Sequence, residues 1–172
     1  MMVKLIGCGM ILMGTTVLGI MFAKIKIDRV KQIRALISAL NMLEIEIEFA
    51  LNILPDAFLK ISKTIDEKIG QLFAVTAKQI MESRLNACEA WHTTLEKLFS
   101  TLCLDKEDKE ILLALGSSLG EVDTENQIKS IRLIIEQLKR QEHKAEEDKA
   151  KSEKLFKSLG VLTGLTIVMV LF

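Results

Sequence analysis

IRALISALNMLEIEIEFALNILP, residues 33–55, decides the fold. Apolar side chains recur at Ile33, Leu36, Ile37, Leu40, Leu43, Ile47, Ala50, Leu51 and Leu54, the three-and-four spacing that draws one stripe along an α-helix. The spacing predicts one long helix running to Leu54 and continuous with the residues before it. Pro55, the only proline of the chain, ends that helix. Its ring forbids an interior turn but suits the first turn of a new helix, expected over 56–62.

Downstream, start signals and stripes repeat. Asp66 is a predicted N-cap for a third helix that turns Ile69, Leu72, Phe73, Ala77 and Ile80 inward. Asn86 with Glu89 three residues on has the form of a capping box for a fourth helix, with Ala90, Trp91, Leu95, Leu98 and Phe99 on its buried side. Asp105 opens a fifth through Ile111, Leu112 and Leu115, ending at Gly120. A sixth begins near Asp123 or Thr124 and meets no Gly or Pro before Gly160. Its seam is apolar at Ile128, Ile131, Ile135 and Leu138, then reads Glu142, Ala145, Lys149 and Ser152 as a polar stretch, and is apolar again at Phe156 and Leu159. One continuous helix is expected, packed at its start and solvated as a stalk over 139–157, where Glu147–Lys151 and Glu153–Lys157 form i,i+4 pairs. No sheet is expected. The fold class is all-α, a small bundle of about six helices.

The chain has 172 residues and 23 bases against 23 acids, a formal charge of zero that gives no basic excess for nucleic acid. The charge is segregated. Every acid lies between Asp28 and Glu153, and every base but Lys4 between Lys24 and Lys157. The uncharged run LIGCGMILMGTTVLGIMFA, residues 5–23, makes about 28 Å of helix against the ~30 Å of a bilayer's hydrocarbon. It is long for a signal peptide's apolar core and lacks a small-x-small cleavage site. SLGVLTGLTIVMVLF, residues 158–172, makes about 22 Å, with Lys154 and Lys157 placed to reach headgroups. Three domains are expected: an N-terminal transmembrane helix at 1–23, a helical domain at 24–157 and a C-terminal transmembrane helix at 158–172. Bases crowd both inner flanks, at Lys24, Lys26, Arg29, Lys31 and Arg34 and again from Lys144 to Lys157. The positive-inside rule therefore puts the middle domain in the cytoplasm. Thr15, Gly19 and Ala23, and Gly160 with Gly164, repeat small residues every fourth position, the pattern of close helix packing within a membrane.

Catalytic signatures are missing from the sequence. There is no phosphate-binding P-loop, no GxGxxG after a strand and no HExxH. Cys8, Cys88 and Cys103 have no metal-binding spacing and read as small apolar residues. Glu89-x-x-His92 has the carboxylate–imidazole spacing of di-iron bundles, but that site needs a second copy, and His143 has Arg140 where the glutamate would stand. No enzyme activity, cofactor or metal is expected.

The order of these features resembles the stage III sporulation protein AB family over essentially the whole chain. The fragments that carry it are Phe22-Ala23-Lys24, Arg29 to Arg34, Leu43-Glu44-Ile45-Glu46-Ile47, Ala90-Trp91, the run from Glu110 to Gly120 followed by Asp123 and Gln127, and Lys157 to Leu165. Asn52-Ile53-Leu54-Pro55 departs from the more polar turn expected there. The resemblance implies a membrane protein of the mother-cell complex facing the forespore, with a cytoplasmic fold similar to the type II secretion F platform proteins. It implies as partners a secretion-type ATPase, stage III sporulation protein AA, and other membrane proteins of the same complex. Gly116, Gly120, Asp123 and Gln127 are then candidate contact or turn-forming residues, with Gly120 as C-cap and Asp123 as N-cap the plainer account of two of them. The competing class is a membrane-anchored helical sensor or scaffold that binds a soluble regulator or lipid. The predicted topology has a direct check: a cysteine placed between residues 24 and 157 should stay unlabelled when intact cells meet a membrane-impermeant thiol reagent, and labelling there would reverse the orientation.

Overall fold

The computed structural model describes the backbone of residues 2–50, 53–83, 85–119 and 123–171, and side chains for 21, 23–48, 53–83, 85–119, 123–152, 154 and 155. Among the described residues there are six α-helices and no strand: α1 (Met2–Ile45), α2 (Leu54–Ser62), α3 (Glu67–Ser83), α4 (Ala87–Leu98), α5 (Lys106–Ser118) and α6 (Thr124–Leu171). A π-turn, Glu46–Ala50, comes after α1, and a 3-10 turn, Phe99–Thr101, after α4. The chain divides into two compact units, Arg29–His143 and the pairing of Met1–Asp28 with Lys144–Phe172.

Local chemistry sets most helix starts where the sequence places them. Asp66 Oδ1 accepts from the N–H groups of Lys68 and Ile69 at 3.1 and 3.4 Å. Asn86 Oδ1 accepts from the Glu89 N–H at 2.8 Å. A reciprocal capping box forms between Asp105 and Asp108 at the start of α5. Pro55 sits in the first turn of α2, which begins at Leu54 rather than Asp56.

Two boundaries differ. The helix predicted to run to Leu54 ends at Ile45 and widens into the π-turn, which inserts one residue and rotates the next side chains about the helix axis by about 100°. Where the turn begins, Ile45 is 57% exposed and the Glu46 carboxylate lies inside, bound by Lys60 of α2. A constant 3.6-residue period cannot foresee the widening. The fifth helix stops at Ser118, with Leu119 already extended at φ −73° and ψ 125°; Gly120, its predicted end, lies outside the described residues.

The core of the Arg29–His143 unit takes Ile33, Leu36, Leu40 and Leu43 from α1, Phe58 and Ile61 from α2, Leu72 and Phe73 from α3, Trp91 and Leu95 from α4, Leu112 and Leu115 from α5, and Ile131 and Leu138 from α6, all essentially without exposure. Each such side chain contributes about 1.5–3 kcal/mol on leaving water. Phe58, Phe73 and Trp91 form an aromatic cluster. Phe73 meets Phe58 edge-on at 5.3 Å and Trp91 at 5.4 Å, the geometry favoured by ring quadrupoles.

In the other unit, Lys26 of α1 pairs with Asp148 of α6 at 3.5 Å, and Ala145 is 1% exposed. The predicted stalk over 139–157 is thus less solvated than its composition suggests, because one small alanine is enough to seat a helix on a neighbour. The Glu147–Lys151 pair does lie in solvent, at 3.6 Å. Glu153 and Lys157 lie outside the described side chains. The apolar runs 5–23 and 158–172 fall within α1 and α6, and apart from Met21 and Ala23 their side chains are outside the described set. Among the described residues no helix is long and apolar enough to cross a membrane.

Two glycines fix how closely helices approach. A Cβ on Gly70 would lie 2.6 Å from the Ser62 carbonyl oxygen, and one on Gly116 would lie 2.6 Å from His92 Cδ2 and 2.7 Å from Trp91 Cδ1. Replacement of either by alanine should destabilise the full chain by about 1–3 kcal/mol, read from urea unfolding of the buried Trp91 fluorescence. Gly70→Ala should be the worse, because a backbone carbonyl cannot rotate aside.

Candidate functional site

A cluster of charge lies in the core, in positions where the helical stripes call for hydrophobic residues. Arg29 is on the α1 stripe of Ile33, Leu36 and Leu40, one turn before Ile33, and is 4% exposed. Asp108 is on the α5 stripe of Leu112 and Leu115 and has no exposure. The two meet in a fork: Arg29 Nε donates to Asp108 Oδ2 at 2.9 Å and Nη2 to Oδ1 at 3.1 Å. Arg29 Nη2 also lies 2.6 Å from Asp105 Oδ2. Asp108 Oδ2 in turn accepts from the Asp105 N–H at 2.9 Å, and the Asp108 N–H donates to Asp105 Oδ1 at 3.0 Å.

The third helix joins through Gln141 of α6. Its Oε1 accepts from Arg29 Nη2 at 3.3 Å, and its Nε2 donates to Glu107 Oε2 at 2.9 Å. One guanidinium therefore binds the start of α5 and a side chain of α6 while sitting on α1. The two carboxylates also lie at the positive end of the α5 dipole. Such a fork is among the stronger polar contacts, because both partners are charged and the geometry is bidentate. Nearby, Gln32 of α1, 3% exposed, accepts from the Cys103 N–H at 2.7 Å and fixes the loop that leads into α5.

Further ion pairs continue this bracing. Arg34 donates to Glu142 at 2.5 Å and Arg132 to Glu44 at 2.6 Å, so α1 and α6 run antiparallel through the bundle. The Glu44 hydrogen bond and charge hold the Arg132 guanidinium above its ordinary pKa. Glu44 and Glu46, two residues apart in the Leu43–Ile47 segment, serve different helices: Glu44 binds α6 and Glu46 binds α2.

Of the residues proposed for contact or turn roles, Gly116 is buried beneath Trp91 and His92. Asp123 is exposed and caps α6, its Oδ1 accepting from the Glu125 N–H at 3.0 Å and its Oδ2 from Asn126 at 2.6 Å. Gln127 is 7% exposed, with its N–H on the Asp123 carbonyl at 3.0 Å. Ala23 is half-buried in α1, while Thr15, Gly19, Gly160 and Gly164 lie outside the described side chains. Trp91 belongs to the core and donates from Nε1 to the Leu112 carbonyl at 2.6 Å. His92 makes the parallel contact, its Nε2 donating to the Leu113 carbonyl at 3.1 Å, which commits that nitrogen to a hydrogen. Glu89 is exposed. Among the described residues no three His, Cys, Asp or Glu side chains converge as a metal site.

Sequence reasoning misses the roles of Arg29, Asp108 and Gln141, although a signal is present. A base and an acid standing in register with apolar stripes have to be buried together, since neither is tolerated alone. In the sequence Arg29 reads as one more base of the basic flank; in the structure its charge turns into the bundle.

Fold and cluster together define an all-helical module whose buried charges hold its own helices in place. The family model for stage III sporulation protein AB matches residues 4–172. The stage III sporulation protein AB of Bacillus subtilis (strain 168) is 38% identical over 170 residues, 99% of each chain. A solved structure of stage III sporulation protein AB superposes with a TM-score of 0.68 at 33% identity, covering 72% of this chain and 97% of that one. The chain belongs to the stage III sporulation protein AB family, and its role is in sporulation.

Removing Arg29 strands a buried carboxylate. Arg29→Ala should cost about 3–5 kcal/mol of stability in urea unfolding of the full chain. Arg132→Ala, which opens a pair at the bundle surface, should leave the unfolding midpoint almost unmoved.

Proposed function

We propose that this chain is a non-enzymatic platform of the secretion-like complex between mother cell and forespore. Its terminal helices 1–23 and 158–172 sit in the mother-cell membrane facing the forespore, and residues 24–157 lie in the cytoplasm. There they dock the secretion-type ATPase, stage III sporulation protein AA, and link it to the other membrane proteins of the complex. The observation that carries this reading is the use made of the buried charges. Arg29, Asp108 and Glu46 each bind a neighbouring helix, which is what a frame that must keep its shape under a partner's motion requires. Membership of a sporulation family, and not of an enzyme family, points the same way. The membrane placement is supported by the two uncharged ends and by Met21, Ile25 and Leu155, apolar side chains left 58, 46 and 63% exposed beside them.

Deletion in a spore-forming host should leave vegetative growth normal and stop development after engulfment, with loss of heat-resistant spores. The full-length protein taken from sporulating membranes in mild detergent should bring the ATPase with it. Normal spore counts would contradict the role in late development, and a complex that purifies intact without the ATPase would contradict the docking.

A further inference from the structure

In the unit that pairs Met1–Asp28 with Lys144–Phe172, the Lys26–Asp148 contact sets the register of α1 against α6. Beyond that pair, toward the uncharged ends of the chain, the charge changes sign. Lys24 of α1 and Lys149, Lys151 and Lys154 of α6 all fall within about 9 Å of helix rise from it. One acid of the same segments, Glu153, stands against these four bases. On the other side of the pair, residues 27–31 and 143–147 balance three bases with three acids. The positive charge is thus gathered in one narrow band next to the two apolar runs.

The band's charge is left over for a partner. Lys24, Lys151 and Lys154 are exposed and Lys149 is half-buried. Among the described residues Lys24, Lys149 and Lys154 enter no ion pair, and Lys151 has only its solvent-exposed contact with Glu147. The same band carries the exposed apolar side chains Met21, Ile25 and Leu155. Ammonium groups interleaved with apolar side chains match a surface that is itself two-phased, with lysine stems along the acyl boundary and their heads at phosphates. An acidic protein or a nucleic acid would pair the lysines and leave Met21, Ile25 and Leu155 without a place. A zwitterionic headgroup already balances its own phosphate, so a surplus of lysine favours headgroups of net negative charge.

We propose that Lys24, Lys149, Lys151 and Lys154 form a binding surface for anionic phospholipid headgroups, with Met21, Ile25 and Leu155 seated at the edge of the acyl layer beside them. The inference rests on the membrane placement proposed above and deepens it by naming the lipid class that the folded protein selects. Charge that only orients a chain during insertion needs no lasting contact; here the lysines hold headgroups in the finished structure.

The test uses the full chain in a neutral detergent, titrated with phosphatidylglycerol and separately with phosphatidylcholine, with bound lipid read by native mass spectrometry. Phosphatidylglycerol should bind at least tenfold tighter. Lys24→Gln, Lys149→Gln, Lys151→Gln and Lys154→Gln together should abolish the preference with the melting temperature unchanged, and the four Lys→Arg changes should keep it. Each Lys→Gln change alone should weaken phosphatidylglycerol binding about threefold to fivefold. The same loss of charge at the exposed Lys63, Lys78, Lys97 and Lys106 should bind as wild type. Equal binding of the two lipids by the wild type, or a preference that survives the four Gln changes, overturns the proposal. The membrane placement has its own readout, since the wild-type chain should stay in membranes of sporulating cells through alkaline carbonate. If carbonate releases it, the spans fail, and the band is decided by sedimentation with phosphatidylglycerol vesicles. Binding there that the four Gln changes remove upholds the band, and binding that they leave intact, or no binding, overturns it.

Discussion

The bundle depends on one buried ion pair, Arg29 with Asp108. Taking two charges out of water is costly, and attraction between them offsets that cost only when geometry is good and the remaining donors and acceptors are satisfied. Here both conditions hold. The guanidinium is met by two carboxylates and an amide oxygen, and Asp108 takes a backbone N–H besides. Because Asp108 is also the third residue of the α5 capping box, the same carboxylate that fixes the helix start fixes the helix to α1. No apolar replacement could do both, since a hydrophobic residue packs in many orientations and a bidentate fork in one.

The rest of the polar framework extends the same device to other helices. Glu44 and Glu46 project from α1 and its π-turn to α6 and α2 respectively, so a short acidic segment braces two neighbours. Around the other side, Gly116 lets α5 approach α4 until the Trp91 indole and the His92 imidazole reach carbonyls of α5 that lie one residue apart. A glycine, a tryptophan and a histidine that look functional in isolation are thus parts of one helix contact. A frame of this kind has its polar chemistry turned inward and its recognition left to the outer faces of its helices.

Helix number, starts and core are legible in the sequence because each is set locally: caps at Asp66, Asn86 and Asp105 act within one turn, and the apolar stripes keep a fixed period. Features that depend on another element are not legible. The π-turn exists where Glu46 meets Lys60, and the helical seat of Ala145 depends on a neighbour whose distance no periodicity encodes. The charge cluster falls between the two cases. Arg29 and Asp108 are visible as charged residues in apolar register, but their pairing across 79 positions is not.

Family membership gives the chain its place in sporulation, and the physical account adds how the bundle keeps the shape that a partner would read. Its central claim is that Arg29 and Asp108 act as one unit. A double-mutant cycle with Arg29→Met, Asp108→Leu and the pair together, monitored by urea unfolding of the full chain through Trp91 fluorescence, measures this most directly. The account predicts two strongly destabilised single variants and a double variant much closer to wild type than their sum, a coupling of about 2–3 kcal/mol. Simple additivity of the two losses would contradict it.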